Sequence, residues 1–147
     1  MSGERALDRL LAGMRPELQP GTYLFCTLSP GAPVPDLTAL ATFREAEGLT
    51  LVVEENEAGR RSLAGDFRAA WITLTVHSDL AAVGFLAAVS AALAADGIPC
   101  NPISAYHHDH LFVPIEQAQR ALAALKRLQR SAGPSGLELD PEAPLVG

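Results

Sequence analysis

The sequence predicts an α+β fold in which an antiparallel sheet is covered by helices on one face. Three observations point there. From Trp71 onward the hydrophobic pattern runs strand, helix, two strands, helix, so the first connection can cross over while the hairpin fixes an antiparallel neighbour. Both of those helical segments carry a single apolar stripe, and a helix with one stripe has one face to bury. Between Thr22 and Glu54 the same plan recurs in shortened form, as a strand, a proline-broken connection and a hairpin. Two ferredoxin-like units of βαββαβ type, the N-terminal one reduced, satisfy all three.

Element by element, Leu7, Leu10, Leu11 and Met14 recur at helical spacing opposite Glu4, Arg5, Asp8 and Arg9, a short amphipathic helix stopped by Pro16 and Pro20-Gly21. Tyr23 to Leu28 has the aromatic, alternating character of a strand, and the prolines between Ser29 and Pro35 end it. Ala41–Glu47 and Leu49–Glu54 read as a hairpin about Gly48, whose turn can use glycine's freedom at positive φ. Asn56 to Asp66 is polar and reads as a linker. Trp71 to His77 is a strand with Ile72, Leu74 and Val76 on one face. Leu80 to Ala95 is a proline-free helix with Val83, Leu86, Val89 and Leu93 along its stripe, Ser78 or Asp79 as its N-cap, and Asp96-Gly97 as its stop. Ile98 to Tyr106 is extended, and Pro99 and Pro102 put it at a sheet edge or a bulge. Leu111 to Val113 is a strand, Ile115 to Arg130 a helix with Ile115, Ala118, Leu122 and Leu125 inward, and Leu137 to Leu139 a short strand in a Pro/Gly-rich tail. Gly48-Leu49 laid over His110-Leu111 aligns the two halves and sets Glu47 over Asp109.

The expected division is residues 1–66, 67–131 and a flexible tail at 132–147. With 147 residues, 48% of them apolar and 19% charged, the chain is long enough for one ordinary core and is not compositionally disordered. Its net charge of −6 argues against nucleic acid and anionic membrane as partners. Cys26 and Cys100 stand far apart inside apolar runs, like small buried hydrophobes, which fits a reducing cytoplasm. No run approaches the ~20 apolar residues of a membrane span, and the start has no apolar signal core.

Three stretches carry a resemblance: Ala41 to Leu51 (ATFREAEGLTL), Ile72 to Ser78 (ITLTVHS) and Tyr106 to Pro114 (YHHDHLFVP). Over roughly residues 3 to 130 the sequence resembles the small bacterial tandem ACT-domain proteins, with the CASTOR-type amino-acid sensors as more distant relatives. The resemblance implies a paired ACT fold, a homodimer, no catalytic chemistry and no cofactor. It also implies an amino acid or other small ligand bound between paired domains.

The residues give a site of their own. His77-Ser78-Asp79 lies between a strand and the expected helix start, where free backbone N–H groups and the helix dipole favour a carboxylate. Asp79 can pair with an α-ammonium. Val83 and Gly84 fall in the first turn or two of that helix, and a glycine there permits close approach of a ligand or of a strand. The neighbouring strand offers Asn101, Ile103 and Ser104, where the resemblance implies a ligand. By analogy with the sensors, Tyr106, His107 and Asp109 contribute to an interface pocket. Ser78 and Asp79 are equally well explained as helix caps, and Asn101 as a backbone bond between two prolines.

His107, His108, Asp109 and His110 raise a different class, since closely spaced histidines and carboxylates are ordinary zinc, iron or manganese donors. Alternation sends His108 and His110 to one side and His107 and Asp109 to the other, two ligands per face. A metal-dependent enzyme is therefore one alternative. A polar hairpin tip in a structural or partner-binding module is another. No nucleophile–base pair, phosphate-binding glycine loop or dinucleotide fingerprint is present.

Overall fold

The computed structural model describes residues 6–132. The strand expected at 137–139 lies outside the described residues. The elements are α1 (Leu7–Gly13), β1 (Pro16–Leu18), β2 (Tyr23–Leu28), β3 (Ala41–Glu45), β4 (Gly48–Glu54), α2 (Glu55–Arg60), β5 (Arg68–Leu74), α3 (Phe85–Ala95), β6 (Asn101–Ser104), β7 (Asp109–Pro114), a 3-10 turn (Ile115–Gln117) and α4 (Ala118–Ala132).

The strands form one antiparallel sheet in the order β3-β4-β2-β5-β7-β6, with β1 also on β5. Its register carries the internal repeat. Tyr23 pairs with both Glu54 and Ala69, and Ala69 pairs with both Tyr23 and Pro114. A local two-fold through the Tyr23–Ala69 pair thus relates β2, β4 and β3 to β5, β7 and β6. Leu24 corresponds to Ala70, Val53 to Val113 and Ala41 to Asn101. The alignment read from the sequence is slipped: Leu51, not Leu49, is the counterpart of Leu111, and Glu47 lies in a turn while Asp109 is in a strand.

Three segments differ from expectation. The β3–β4 turn is the pair Ala46-Glu47, closed by Glu45 opposite Gly48. Gly48 answers a different need, because a Cβ there would meet the Leu28 carbonyl oxygen at 2.1 Å. The expected linker holds α2, nucleated by the Glu54 carboxylate, which accepts from the N–H groups of Asn56 and Glu57. Arg68 then clamps Glu55 through two bonds of 2.7 and 3.1 Å. The third is α3, which begins at Phe85 rather than Leu80. Asp79 Oδ1 accepts from Ala81 N–H at 2.7 Å, an Asx turn that competes with helix. Gly84, at φ +94°, is the N-cap in place of Ser78 or Asp79.

The edge of β5 left open by its own unit is filled from the beginning of the chain. β1 pairs Pro16 with Leu74 and Leu18 with Ile72, Gln19 N–H donates to the Trp71 carbonyl, and after a bulge at Pro20-Gly21 β2 takes over at Ala69. Pro16 was read as a stop, and the strand it begins is too short to show a period. Leu10 and Leu11 of α1 and its C-cap Met14 join Val89, Leu93, Ala121 and Leu125 of α3 and α4 over Ile72, Leu74, Leu111 and Val113, the main core. A smaller core under α2 gathers Leu24, Cys26, Leu51, Val53 and Ala58. Both lie on the same sheet face.

The opposite face is concave and aromatic. Phe25 meets Phe112 edge-on at 5.4 Å, Tyr23 meets Trp71 likewise at 5.4 Å, and Val52, Ala69 and Phe112 are buried among them. The sheet curls until Ala41 of β3 and Ile103 of β6, with four strands between them in the order, line one cavity.

Candidate functional site

Beyond the end of β5 the chain runs through Thr75–Gly84 to the start of α3, and this loop faces the tip of the β6–β7 hairpin. Ser78, Asp79, Gly84, Ser104 and Asp109 line a crevice of about 180 Å³ there, with the first turn of α3 as its floor. Ser104 and Asp109 arrive together because they are register partners. Asp109 is 6% exposed, and Ser78 Oγ donates to its Oδ2 at 3.4 Å. Gly84 as N-cap brings no side chain to the first N–H groups of α3, and a helix start at one end of the crevice suits an anion. The carboxylates of Asp79 and Asp109 supply the opposite charge, and among the described residues no Lys or Arg lines it. A zwitterion matches that polarity.

The other five expected site residues lie elsewhere. Val83 is 83% exposed beside the crevice rather than in it. Asn101 and Ile103 pair with Phe112 and His110 and so share the concave face, because alternation along β6 sends only Pro102 and Ser104 to the helix side. Tyr106 is 64% exposed at the hairpin tip, its ring 4.9 Å from that of His107, and His107 in turn lies 5.8 Å from the His77 ring.

The four histidine-turn residues do not converge. Asp109 turns to Ser78, His108 Nδ1 lies 3.4 Å from the Val76 carbonyl, and His110 turns to the concave face, where Trp71 Nε1–H donates to its Nδ1 at 3.0 Å. Among the described residues no three His, Cys, Asp or Glu side chains are grouped to hold a metal ion. The two thiols are not activated. Burial raises the pKa of Cys26 and pushes that of Cys100 up to about 11.

Sequence reasoning missed a larger cleft, about 680 Å³, at the end of β2. Ser29 and Gly31 of the following loop face Thr42, Arg44 and Glu45 of β3 there. By the local two-fold it is the first unit's counterpart of the Ser78–Asp109 crevice. The signal that could have found it is the repeat itself: Ser29–Pro35 follows β2 as the Ser78 loop follows β5.

An antiparallel sheet with strand–helix–hairpin units side by side defines a pair of ferredoxin-like units, with a crevice where a strand-to-helix loop meets a hairpin tip. Comparison with known proteins agrees. One ACT-domain model matches residues 2–70 and a second, different ACT-domain model matches residues 66–127. The chain belongs to the ACT-domain family, with two domains in tandem. It is similar to a Vibrio cholerae protein of unknown function described as a "possible transport protein", at 47% identity, 84% of this chain, 95% of that one and TM-score 0.75. Two more distant structures share the fold. An Agrobacterium tumefaciens protein is 17% identical over 79% of this chain and 89% of its own, with TM-score 0.63. The regulatory subunit of aspartate kinase from Thermus flavus is 11% identical over 87% of this chain and 99% of its own, with TM-score 0.51. No curated protein matches the chain. Among the described residues no helix is long and apolar enough to cross a membrane.

Proposed function

We propose that the protein is a non-catalytic regulatory module that binds an amino acid in the crevice between the β5–α3 loop and the β6–β7 tip, and that it works as a cytoplasmic homodimer. The observation that carries this reading is the meeting of Ser78, Asp79, Gly84, Ser104 and Asp109 around one small cavity that ends on an uncapped helix. In it the α-carboxylate takes the N–H groups of the first turn of α3, and the α-ammonium faces Asp79 and Asp109. Typical ACT-domain behaviour and the regulatory subunit among the structural neighbours support the class.

Thermal-shift measurements with each proteinogenic amino acid test it. A ligand at about 100 times its Kd stabilises by about 2.7 kcal/mol, a rise of several degrees in Tm. No rise with any of them overturns the amino-acid assignment.

A further inference from the structure

We infer that the concave face of the sheet holds a second, separate binding site, for a small apolar molecule carrying one acceptor oxygen, with its body between β3 and β6 and its oxygen on His110. The inference goes beyond the crevice of the preceding section, which opens on the opposite face of the sheet.

The space is there and its lining is mostly apolar, the polar members of the larger part being Thr42, Thr50 and Glu45, whose carboxylate accepts from Thr50. Two cavities of about 150 and 230 Å³ adjoin, since both are lined by Ala41 and Ile103. Phe25 and Phe43 flank one, and Leu40, Trp71 and Phe112 the other. An apolar cavity of about 150 Å³ suffices for a benzene ring. Small-molecule sites are typically apolar pockets with a few fixed polar groups, and this one has such a group in His110.

The chemistry of that group is set by its neighbours on β5. An indole N–H can only donate, so the bond from Trp71 Nε1 to His110 Nδ1 requires that Nδ1 carry no proton. The Thr73 hydroxyl approaches the same nitrogen at 3.1 Å and itself accepts from Gln19 Nε2 at 3.0 Å. The imidazole proton is thereby fixed on Nε2, in a side chain that lines the 150 Å³ cavity. A neutral N–H donor on a wall of aromatic and aliphatic carbon selects a carbonyl or carboxyl oxygen on an apolar body. The lowered pKa of His110, caused first by burial and then by His108, agrees with a neutral donor.

Trp71 is the sole tryptophan of the sequence, so its fluorescence and its single indole N–H resonance report on this wall alone. The probes are phenylacetamide and phenylacetate, each titrated to about 10 mM into the full-length protein, and toluene, titrated to its aqueous solubility limit and compared at equal concentration. Phenylacetamide is expected to change both signals saturably, and phenylacetate to do so if the site accepts a charged oxygen. Toluene, with no oxygen, is expected to bind about tenfold more weakly. Ala105→Phe fills the exposed rim of the cavity and is expected to cost about tenfold in affinity, with the urea midpoint confirming that the variant folds. Ser78→Ala, in the other site, leaves the titration unchanged.

Three results overturn the inference: no saturable change with either oxygen-bearing probe, equal binding of toluene, or binding unaffected by Ala105→Phe. A fourth is that light scattering and Trp71 fluorescence change together on dilution, which makes a second copy of the chain the occupant.

Discussion

Trp71 of β5 and His110 of β7 are diagonal neighbours on one sheet face, two positions out of register, and the 3.0 Å bond between them works only while His110 Nδ1 is unprotonated. Burial and His108 lower the pKa of His110, with Asp109 opposing. The unfolded chain therefore binds the proton more readily than the folded one. The stability tied to neutral His110 is complete above the unfolded value of about 6.5 and is lost as pH falls from there through the folded value. Urea midpoints measured across that range are expected to fall on acidification, and His110→Gln, which can keep an acceptor and a donor, to flatten the dependence.

Gly48→Ala drives a Cβ into the Leu28 carbonyl at 2.1 Å, in a residue held at φ +150°. The methyl meets a backbone carbonyl, which no side-chain rotation can relieve, so the β2–β4 ladder has to part. A loss of about 2–4 kcal/mol is expected from chemical denaturation. Gly59→Ala, in α2 with nothing within 4 Å of the new Cβ, is the control and is expected to gain up to about 1 kcal/mol.

Leu10→Ala tests whether α1 is structural for the second unit. Leu10 is fully buried against α3 and α4, far along the chain. Truncation is expected to cost about 2–5 kcal/mol, the range for a buried leucine. A loss in a single cooperative transition by calorimetry will show that both units unfold together.

Asp109→Asn removes one carboxylate from the proposed amino-acid crevice while keeping its shape. Ser78 Oγ is 3.4 Å from Asp109, a long bond, so basal stability is expected to change by less than about 1 kcal/mol. The Tm rise given by the best amino acid is expected to shrink, with affinity down about tenfold or more for the lost charge-assisted bond.

What the sequence made legible follows from where burial leaves a periodic trace. Leu24, Cys26, Ile72, Leu74, Leu111 and Val113 alternate because their strands have one face on a core, and each strand was readable. β1 has three residues and exists because Leu74 and Ile72 have an open edge, a tertiary cause with no local signature. α2 depends on a Glu54 side chain catching two N–H groups, which a polar stretch does not announce. At α3, Leu80 and Val83 continue a helical spacing yet are 66% and 83% exposed, because the Asp79 turn and the Gly84 N-cap delay the helix until Phe85. The site was legible in the same proportion. Ser78, Asp79, Gly84, Ser104 and Asp109 line one crevice, whereas Asn101 and Ile103 face the other side of β6, a distinction only the register supplies.

Gln129 of α4 donates to the carbonyl of Ala12 at the end of α1, joining positions near the two ends of the described chain. During synthesis α1 leaves the ribosome well before α4, against which it packs. Residues 16–18 find their β5 partners midway along the chain, but Leu10 and Leu11 of α1 lack their α4 contacts until α4 emerges. Such long-range closure slows folding. A nascent chain halted before α4 would expose Leu10, Leu11 and Met14 to whatever holds unfinished polypeptides.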